Sequence, residues 1–154
     1  MNTRIEIKEV EDMQLVAMTV KGFDKVAAAY EKLVKWAAPN GLLELAKTKM
    51  VTIYHDSARD TQHDKVRISA CVLVDQEVTN TDDFEQIVFK PHRCIIAPME
   101  IGLQEFEQAW KSLFIWMQEN DYQKSDANPF EVYHNNYQEH PEKKCIVDFC
   151  IPID

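Results

Sequence analysis

An internal repeat constrains this chain more than any other feature of its sequence. The segment that starts at Gly22 has the same order of apolar residues as the segment that starts at Gly102, at a constant offset of 80. The matched residues are Val26 with Phe106, Ala29 with Ala109, Tyr30 with Trp110, Leu33 with Leu113 and Trp36 with Trp116. Further along, Ile53-Tyr54-His55 matches Val132-Tyr133-His134 at an offset of 79. A chain that repeats itself in this way is expected to fold as two similar units.

The hydrophobic pattern predicts the same elements in both repeats. Apolar residues recur at helical spacing in two long segments, and they alternate with other residues in two later segments, as is typical of strands. The predicted helices cover 23–38 and 103–119. The predicted strands cover 50–55, 66–74, 130–134 and 145–153. Before each helix, Leu15-Val16-Ala17 matches Ile95-Ile96-Ala97, which indicates a first strand. Each repeat therefore has the order strand, helix, strand, strand.

These elements predict the α+β fold class, with an antiparallel sheet and two long helices on one side of it. We expect one domain, 1–154, that consists of two pseudo-symmetric modules, about 1–80 and 81–154. A pseudo-two-fold axis between such modules naturally leaves a cleft, so we also expect a central ligand groove.

The composition excludes several classes of function. The net charge of −9 disfavours direct binding of nucleic acid, because such affinity comes largely from basic residues that neutralise phosphates. With only three glycines, the chain cannot build a glycine-rich phosphate loop. The longest apolar run, Ala70–Val74, is too short to cross a membrane, and the charged N-terminus does not resemble a signal peptide. We therefore expect a cytoplasmic protein without membrane or nucleic-acid partners.

The cysteines and histidines indicate neither a metal site nor a cofactor. The four cysteines include no Cys-x-x-Cys pair and have no histidine at zinc-finger spacing, which favours reduced, buried thiols. His55 and His134 occupy matched positions, which favours a role at the strand end over catalysis. We predict no metal and no cofactor.

Glu131 is the most informative candidate for chemistry. The matched residue in the first repeat is Thr52, so the repeat itself does not require a carboxylate there. One interpretation is a solvent-facing glutamate on a strand, where glutamate is usually found. The other is a carboxylate in an aromatic pocket, which would attract a cation or a hydrogen-bond donor, with a pKa raised by desolvation unless a donor compensates. The predicted ligand-binding residues are Glu131, Tyr133, Tyr54 and Trp110, with Trp110 as either core or pocket wall.

The order and duplication of these segments resemble the GyrI-like small-molecule-binding domain family over essentially the whole chain. The resemblance lies in Gly102, Trp110-x-x-Leu113-x-x-Trp116, Pro129-Phe130-Glu131-Val132-Tyr133 and Asp148-Phe149-Cys150-Ile151-Pro152-Ile153. The first repeat contributes Tyr54-His55-Asp56 and Arg67-Ile68-x-x-x-Val72. That family includes effector-binding domains of multidrug-sensing transcription regulators and stand-alone proteins. Because the repeats fill the sequence, we expect a stand-alone member without a DNA-binding domain.

The resemblance implies that Glu131 contacts bound ligands, since members with this glutamate are similar to sensors of bulky aromatic cations. We therefore expect a protein that binds an amphipathic aromatic or cationic small molecule. Two alternatives remain open. One is a hydrolase of electrophilic xenobiotics in which Glu131 is the general base. The other is a protein-interaction module such as an inhibitor of DNA gyrase.

Overall fold

The computed structural model describes residues 4–43, 49–57 and 60–154. It confirms the predicted α+β class and both long helices. Each helix follows a short 3-10 turn, at Phe23–Lys25 and at Leu103–Glu105. The helices are α1 (Val26–Ala37) and α2 (Phe106–Glu119). The strands are β1 (Glu6–Val10), β2 (Met13–Lys21), β3 (Met50–Tyr54), β4 (Arg67–Leu73), β5 (Glu85–Phe89), β6 (His92–Ile101), β7 (Phe130–Tyr133) and β8 (Cys145–Pro152). Among the described residues, no helix is long and apolar enough to cross a membrane.

The chain divides into two compact units. One unit, called the continuous unit, is Asp12–Phe89. The other, called the discontinuous unit, combines the residues up to Glu11 with Lys90–Asp154. The strand order is β3-β4-β2-β5 in the continuous unit and β1-β6-β8-β7 in the discontinuous unit, and the pairings described within each unit are antiparallel.

The units do not begin and end where the sequence repeats do. Strand β1 precedes β2 in the chain but pairs with β6, and β5 precedes β6 but pairs with β2. Both edges of β2 are already occupied, one by β4 and one by β5, so β1 cannot pair with it. The boundaries between the two units therefore lie directly after Glu11 and directly after Phe89. That the whole chain is a single domain stays a prediction.

Each helix packs one face on the sheet of its own unit. The buried face of α1 consists of Ala29, Leu33 and Ala37. The buried face of α2 consists of Ala109, Leu113 and Met117, which are the matched positions. In the discontinuous unit these three residues share a core with sheet residues Ile95, Ala97, Cys145, Val147, Phe149, Ile151 and Ile153. The 3.6-residue periodicity of the sequence therefore marks the packing faces directly.

The middle of the second face of β4 is also buried. The alternation in the sequence predicts one apolar face, yet Ser69 and Cys71 on the opposite face are 1% and 0% exposed. The polar Ser69 is tolerated there because its hydroxyl lies 2.6 Å from Thr19 Oγ1 and 2.6 Å from His55 Nε2.

The two helices end in the same way. The side chain of Asn40 donates to the carbonyl of Trp36, and the side chain of Asn120 donates to the carbonyl of Trp116. The next residue adopts a left-handed conformation in both units, with φ of +69° at Gly41 and +60° at Asp121. A residue in this conformation turns the chain so that N–H groups can bond to the last carbonyls of the helix. Glycine adopts the conformation without the steric cost of a Cβ.

Replacing Asp121 with glycine should stabilise the protein. The change relieves the backbone strain of a non-glycine residue in the left-handed conformation, and it removes a negative charge from a helix C-terminus. The free energy of unfolding should therefore rise by about 1 kcal/mol. The reciprocal variant Gly41→Asp should lower it by about the same amount. No atom lies within 4 Å of the added Cβ, so the cost comes from backbone strain and from the negative charge placed at a helix C-terminus. Urea unfolding measures both; a destabilised Asp121→Gly protein would contradict this account of the helix end.

Candidate functional site

Glu131 lies on β7, where it is paired with Phe149 of β8. Its exposed fraction is 0%, so the interpretation of a solvent-facing glutamate is wrong. Side chains two residues apart in a strand point to the same face, which places Tyr133 beside Glu131 as the sequence predicts. An ionisable group in such a place requires partners, because burying an unpaired charge is costly.

Two aromatic side chains donate hydrogen bonds to this carboxylate. The indole Nε1–H of Trp110, on α2, donates to Glu131 Oε2 at 2.7 Å. The hydroxyl of Tyr133 donates to Glu131 Oε1. Each oxygen is therefore an acceptor, which is the role of an ionised carboxylate. We call Glu131, Trp110 and Tyr133 the Glu131 cluster.

The indole of Trp110 is held by other rings as well as by Glu131. It makes an edge contact with Phe149, with ring centroids 5.1 Å apart and planes at 85°. On its own helix it lies next to Phe114, with centroids 5.9 Å apart. Trp110 is half-buried and packs against the core of the discontinuous unit, so it is both part of the core and a wall of the cluster.

At the matched position in the continuous unit, helix and strand are joined by a hydrogen bond between neutral groups. The hydroxyl of Tyr30 lies 2.6 Å from Thr52 Oγ1 and donates to the carbonyl of Val51 at 2.8 Å. Tyr30 corresponds to Trp110 and Thr52 to Glu131 in the sequence repeat. A hydrogen bond between helix and strand therefore forms with neutral groups, and packing alone does not require the carboxylate of Glu131.

Tyr54, the fourth predicted ligand-binding residue, belongs to the continuous unit. It is the last residue of β3 and is half-buried, and its ring centroid lies 6.2 Å from that of Phe23. The Glu131 cluster thus brings together three of the four predicted residues within one unit. A role for Tyr54 in ligand binding stays a prediction.

The histidines at the two strand ends take part in polar contacts that the sequence did not reveal. His55 Nε2 lies 2.6 Å from Ser69 Oγ, and His134 Nε2 lies 2.9 Å from Asp148 Oδ2. Burial, followed by the positive charge of Arg67, lowers the pKa of His55. Side-chain and backbone hydrogen bonds from Arg67 in turn hold the pKa of the neighbouring Asp56 carboxyl well below its usual range.

The four thiols are free and buried, and burial raises the pKa of each. For Cys94 the pKa rises to about 12, with a further contribution from Glu9. The charge of Glu131 adds to the effect of burial at Cys145 and Cys150. Thiols with raised pKa values are poor nucleophiles and poor metal ligands. In the part of the chain that the structure describes, no three histidine, cysteine or acidic side chains converge on a metal site.

The fold and the Glu131 cluster together define an α+β protein of two units, each with one long helix packed on a four-stranded sheet, and one unit contains a buried carboxylate held by aromatic donors. Residues 3–154 match the model of the GyrI-like small molecule binding domain, and the chain belongs to this family. No significant match to a curated protein sequence was found.

Three proteins of known structure share the fold at low sequence identity. The C-terminal domain of EcmrR is 16% identical, with a TM-score of 0.79 over 100% of this chain and 99% of that domain. In the EcmrR–DNA complex (14% identity, TM-score 0.83) the match covers 99% of this chain but only 57% of the EcmrR chain. A hydrolase from Listeria innocua is 11% identical, with a TM-score of 0.65 over 98% of this chain and 92% of that one. SAV2435 bound to tetraphenylphosphonium is 13% identical, with a TM-score of 0.59 over 98% and 94% of the two chains.

The lowered pKa of His55 predicts a pH dependence of stability. An unfolded histidine titrates near the ordinary value of 6.5, so below that pH the unfolded state binds more protons than the folded state. The contribution of His55 to stability is therefore complete above about pH 6.5 and is lost as the pH falls through the folded-state pKa. Urea unfolding between pH 5 and 8 should show a shallower pH dependence for His55→Gln than for the unaltered protein. An unchanged slope in His55→Gln would contradict the assignment.

Proposed function

We propose that the protein binds an amphipathic aromatic cation at the Glu131 cluster. The observation that carries the proposal is a carboxylate that is fully buried, held by two aromatic donors and absent from the matched position of the other unit. A buried carboxylate that packing does not require is most simply explained by a ligand, and buried ionisable groups with specific partners are common at functional sites.

The electrostatics favour a cation. A carboxylate in a surrounding of low dielectric attracts a positive charge far more strongly than it does in water. The rings of Trp110 and Tyr133 add faces that attract cations through their quadrupoles. The net charge of −9 raises the concentration of cations near the surface but does not favour anions.

The hydrogen bonds favour a cation with a diffuse charge. Both carboxylate oxygens already accept a hydrogen bond, so a ligand without N–H donors loses nothing by offering only charge and apolar surface. Tetraphenylphosphonium, the compound in the SAV2435 structure, has this chemistry and is a suitable test ligand.

Hydrolysis of an electrophilic compound is the second candidate, and the likeness to the Listeria innocua hydrolase favours it. In that reaction Glu131 would take a proton from an attacking water molecule. A general base must lie within hydrogen-bond reach of that water and must be basic enough to accept its proton. Both oxygens of Glu131 already accept a hydrogen bond from an aromatic donor and not from water, so the present geometry supports binding better than hydrolysis.

Glu131→Gln should weaken binding of tetraphenylphosphonium. The variant keeps the size of the side chain and removes its charge. The affinity should fall by about tenfold to a hundredfold, which corresponds to roughly 1.4–2.8 kcal/mol. Isothermal titration calorimetry measures the effect. Glu107→Gln removes the same charge from an exposed position on α2 and should bind as the unaltered protein does.

Equal affinities of the Glu131→Gln and Glu107→Gln variants would exclude Glu131 as the cation contact. A turnover assay with electrophilic aromatic compounds separates the two candidate functions. Turnover that Glu131→Gln abolishes, with binding of the neutral compound retained, would favour the hydrolase.

A further inference from the structure

We propose that Asn40 is a site of spontaneous deamidation, and that the reaction releases the C-terminal end of α1. Asn40 and Gly41 form the only Asn–Gly pair of the sequence, and both residues are exposed. Asparagine is among the residues that are chemically labile in proteins. The site belongs to the continuous unit and does not depend on ligand binding at the Glu131 cluster.

The reaction needs only these two neighbouring residues and water. The backbone nitrogen of Gly41 loses its proton to hydroxide and attacks Cγ of Asn40, so that a new N–Cγ bond forms. The Cγ–Nδ2 bond breaks, and the amide nitrogen takes up a proton from water and leaves as ammonia. Water then opens the resulting succinimide ring at either of its carbonyls, which gives an aspartyl or an isoaspartyl residue.

The local structure permits this attack. Glycine has no Cβ, which leaves its backbone nitrogen open to close approach, and no atom lies within 4 Å of the place that a Cβ of Gly41 would occupy. Two hydrogen bonds must open first. The N–H of Gly41 donates to the carbonyl of Ala38 at 3.2 Å, and Nδ2 of Asn40 donates to the carbonyl of Trp36 at 2.6 Å. Both lie at an exposed helix end, where local opening has a low free-energy cost.

The end of α2 provides a matched comparison within the same chain. Asn120 is also exposed, and its side chain donates to the carbonyl of Trp116 at 2.9 Å. The next N–H, that of Asp121, donates to a carbonyl at the helix end at 3.2 Å, as that of Gly41 does. Both of these following residues are left-handed. The two sites share these contacts and differ in the Cβ after the asparagine, so the reaction should be much faster at Asn40.

The products disrupt the contacts that end α1. A carboxylate in place of the amide loses the donor to the carbonyl of Trp36, and it places a negative charge at a helix C-terminus, where the helix dipole disfavours it. An isoaspartyl linkage also adds one carbon to the main chain two residues before Leu42. Leu42 is 7% exposed in the core of the continuous unit, and its N–H donates to the carbonyl of Ala37 at 3.1 Å. Modification of Asn40 therefore loosens the last turn of α1.

The test ages the unaltered protein, Gly41→Asp and Asp121→Gly at pH 8 and follows each asparagine by peptide mass spectrometry. Enzymatic methylation of isoaspartyl residues is an independent readout. In the unaltered protein Asn40 should react about tenfold or more faster than Asn120, the rate ratio for a barrier lower by about 1.4 kcal/mol. Gly41→Asp should slow the reaction at Asn40. Asp121→Gly should start it at Asn120, because this variant has a second Asn–Gly pair at a matched helix end.

Urea unfolding measures the structural consequence. The aged unaltered protein should unfold at a lower urea concentration than the fresh protein. Asn40→Asp, which carries the charge of the product without any reaction, should shift the midpoint in the same direction. An unchanged midpoint after full modification of Asn40 is inconsistent with release of the helix end.

Two results overturn the site itself. One is that Asn40 stays intact in the folded protein over a period in which it reacts in the urea-unfolded protein, since the helix end then protects it. The other is an equal rate at Asn40 and Asn120. If Gly41→Asp does not fold, Asp121→Gly decides the question, because the proposal requires that Asn120 reacts in this variant and not in the unaltered protein.

Discussion

The hydrogen-bonded carboxylate of Glu131 is the constraint on which the candidate site depends. A charge at 0% exposure is stable only if the protein supplies donors to replace water, and here one donor comes from α2 and the other from the same strand. The carboxylate therefore links helix, strand and site. Its position on β7 fixes Trp110 against Phe149, and that ring contact in turn belongs to the core of the discontinuous unit.

The two units show how such a site can arise from a structural contact. In the continuous unit Tyr30 and Thr52 join helix to strand with neutral groups, and in the discontinuous unit Trp110 and Glu131 occupy the matched places. We infer that the neutral contact serves packing alone, whereas the charged contact serves packing and binding. Under the proposed function, a ligand of opposite charge offsets the cost of burying the carboxylate of Glu131.

Much of this fold could be predicted from the sequence because the relevant signals are local. The periodicity of Ala29, Leu33 and the residues matched to them gives the helices and their packing faces, and alternation gives β4 and β8. The pairing of β1 with β6 could not be predicted. A short alternating strand could pair with β2 or with β6, and the choice depends on which strand edges the rest of the sheet leaves open. The burial of Ser69 could not be predicted either, because the sequence does not show what covers the second face of a sheet.

Part of the site could be predicted from the sequence. Strand alternation places Glu131 and Tyr133 on the same face, and the first repeat has no matching glutamate. The two hydrogen bonds could not be predicted, because the one from Trp110 depends on how α2 sits on the sheet and the one from Tyr133 depends on side-chain rotamers. The same limit applies to the contacts of His55 and His134, for which only the matched positions gave a signal.

The indole N–H resonances in a ¹H–¹⁵N NMR spectrum test the central claim most directly. The chain has three tryptophans, so Trp36 and Trp116 are internal references for Trp110. The account predicts that the Trp110 resonance, assigned by its loss in Trp110→Phe, moves both in Glu131→Gln and on addition of tetraphenylphosphonium, while the other two stay in place. A Trp110 resonance that stays unchanged while the ligand demonstrably binds would contradict the claim that the Glu131 cluster is the binding site.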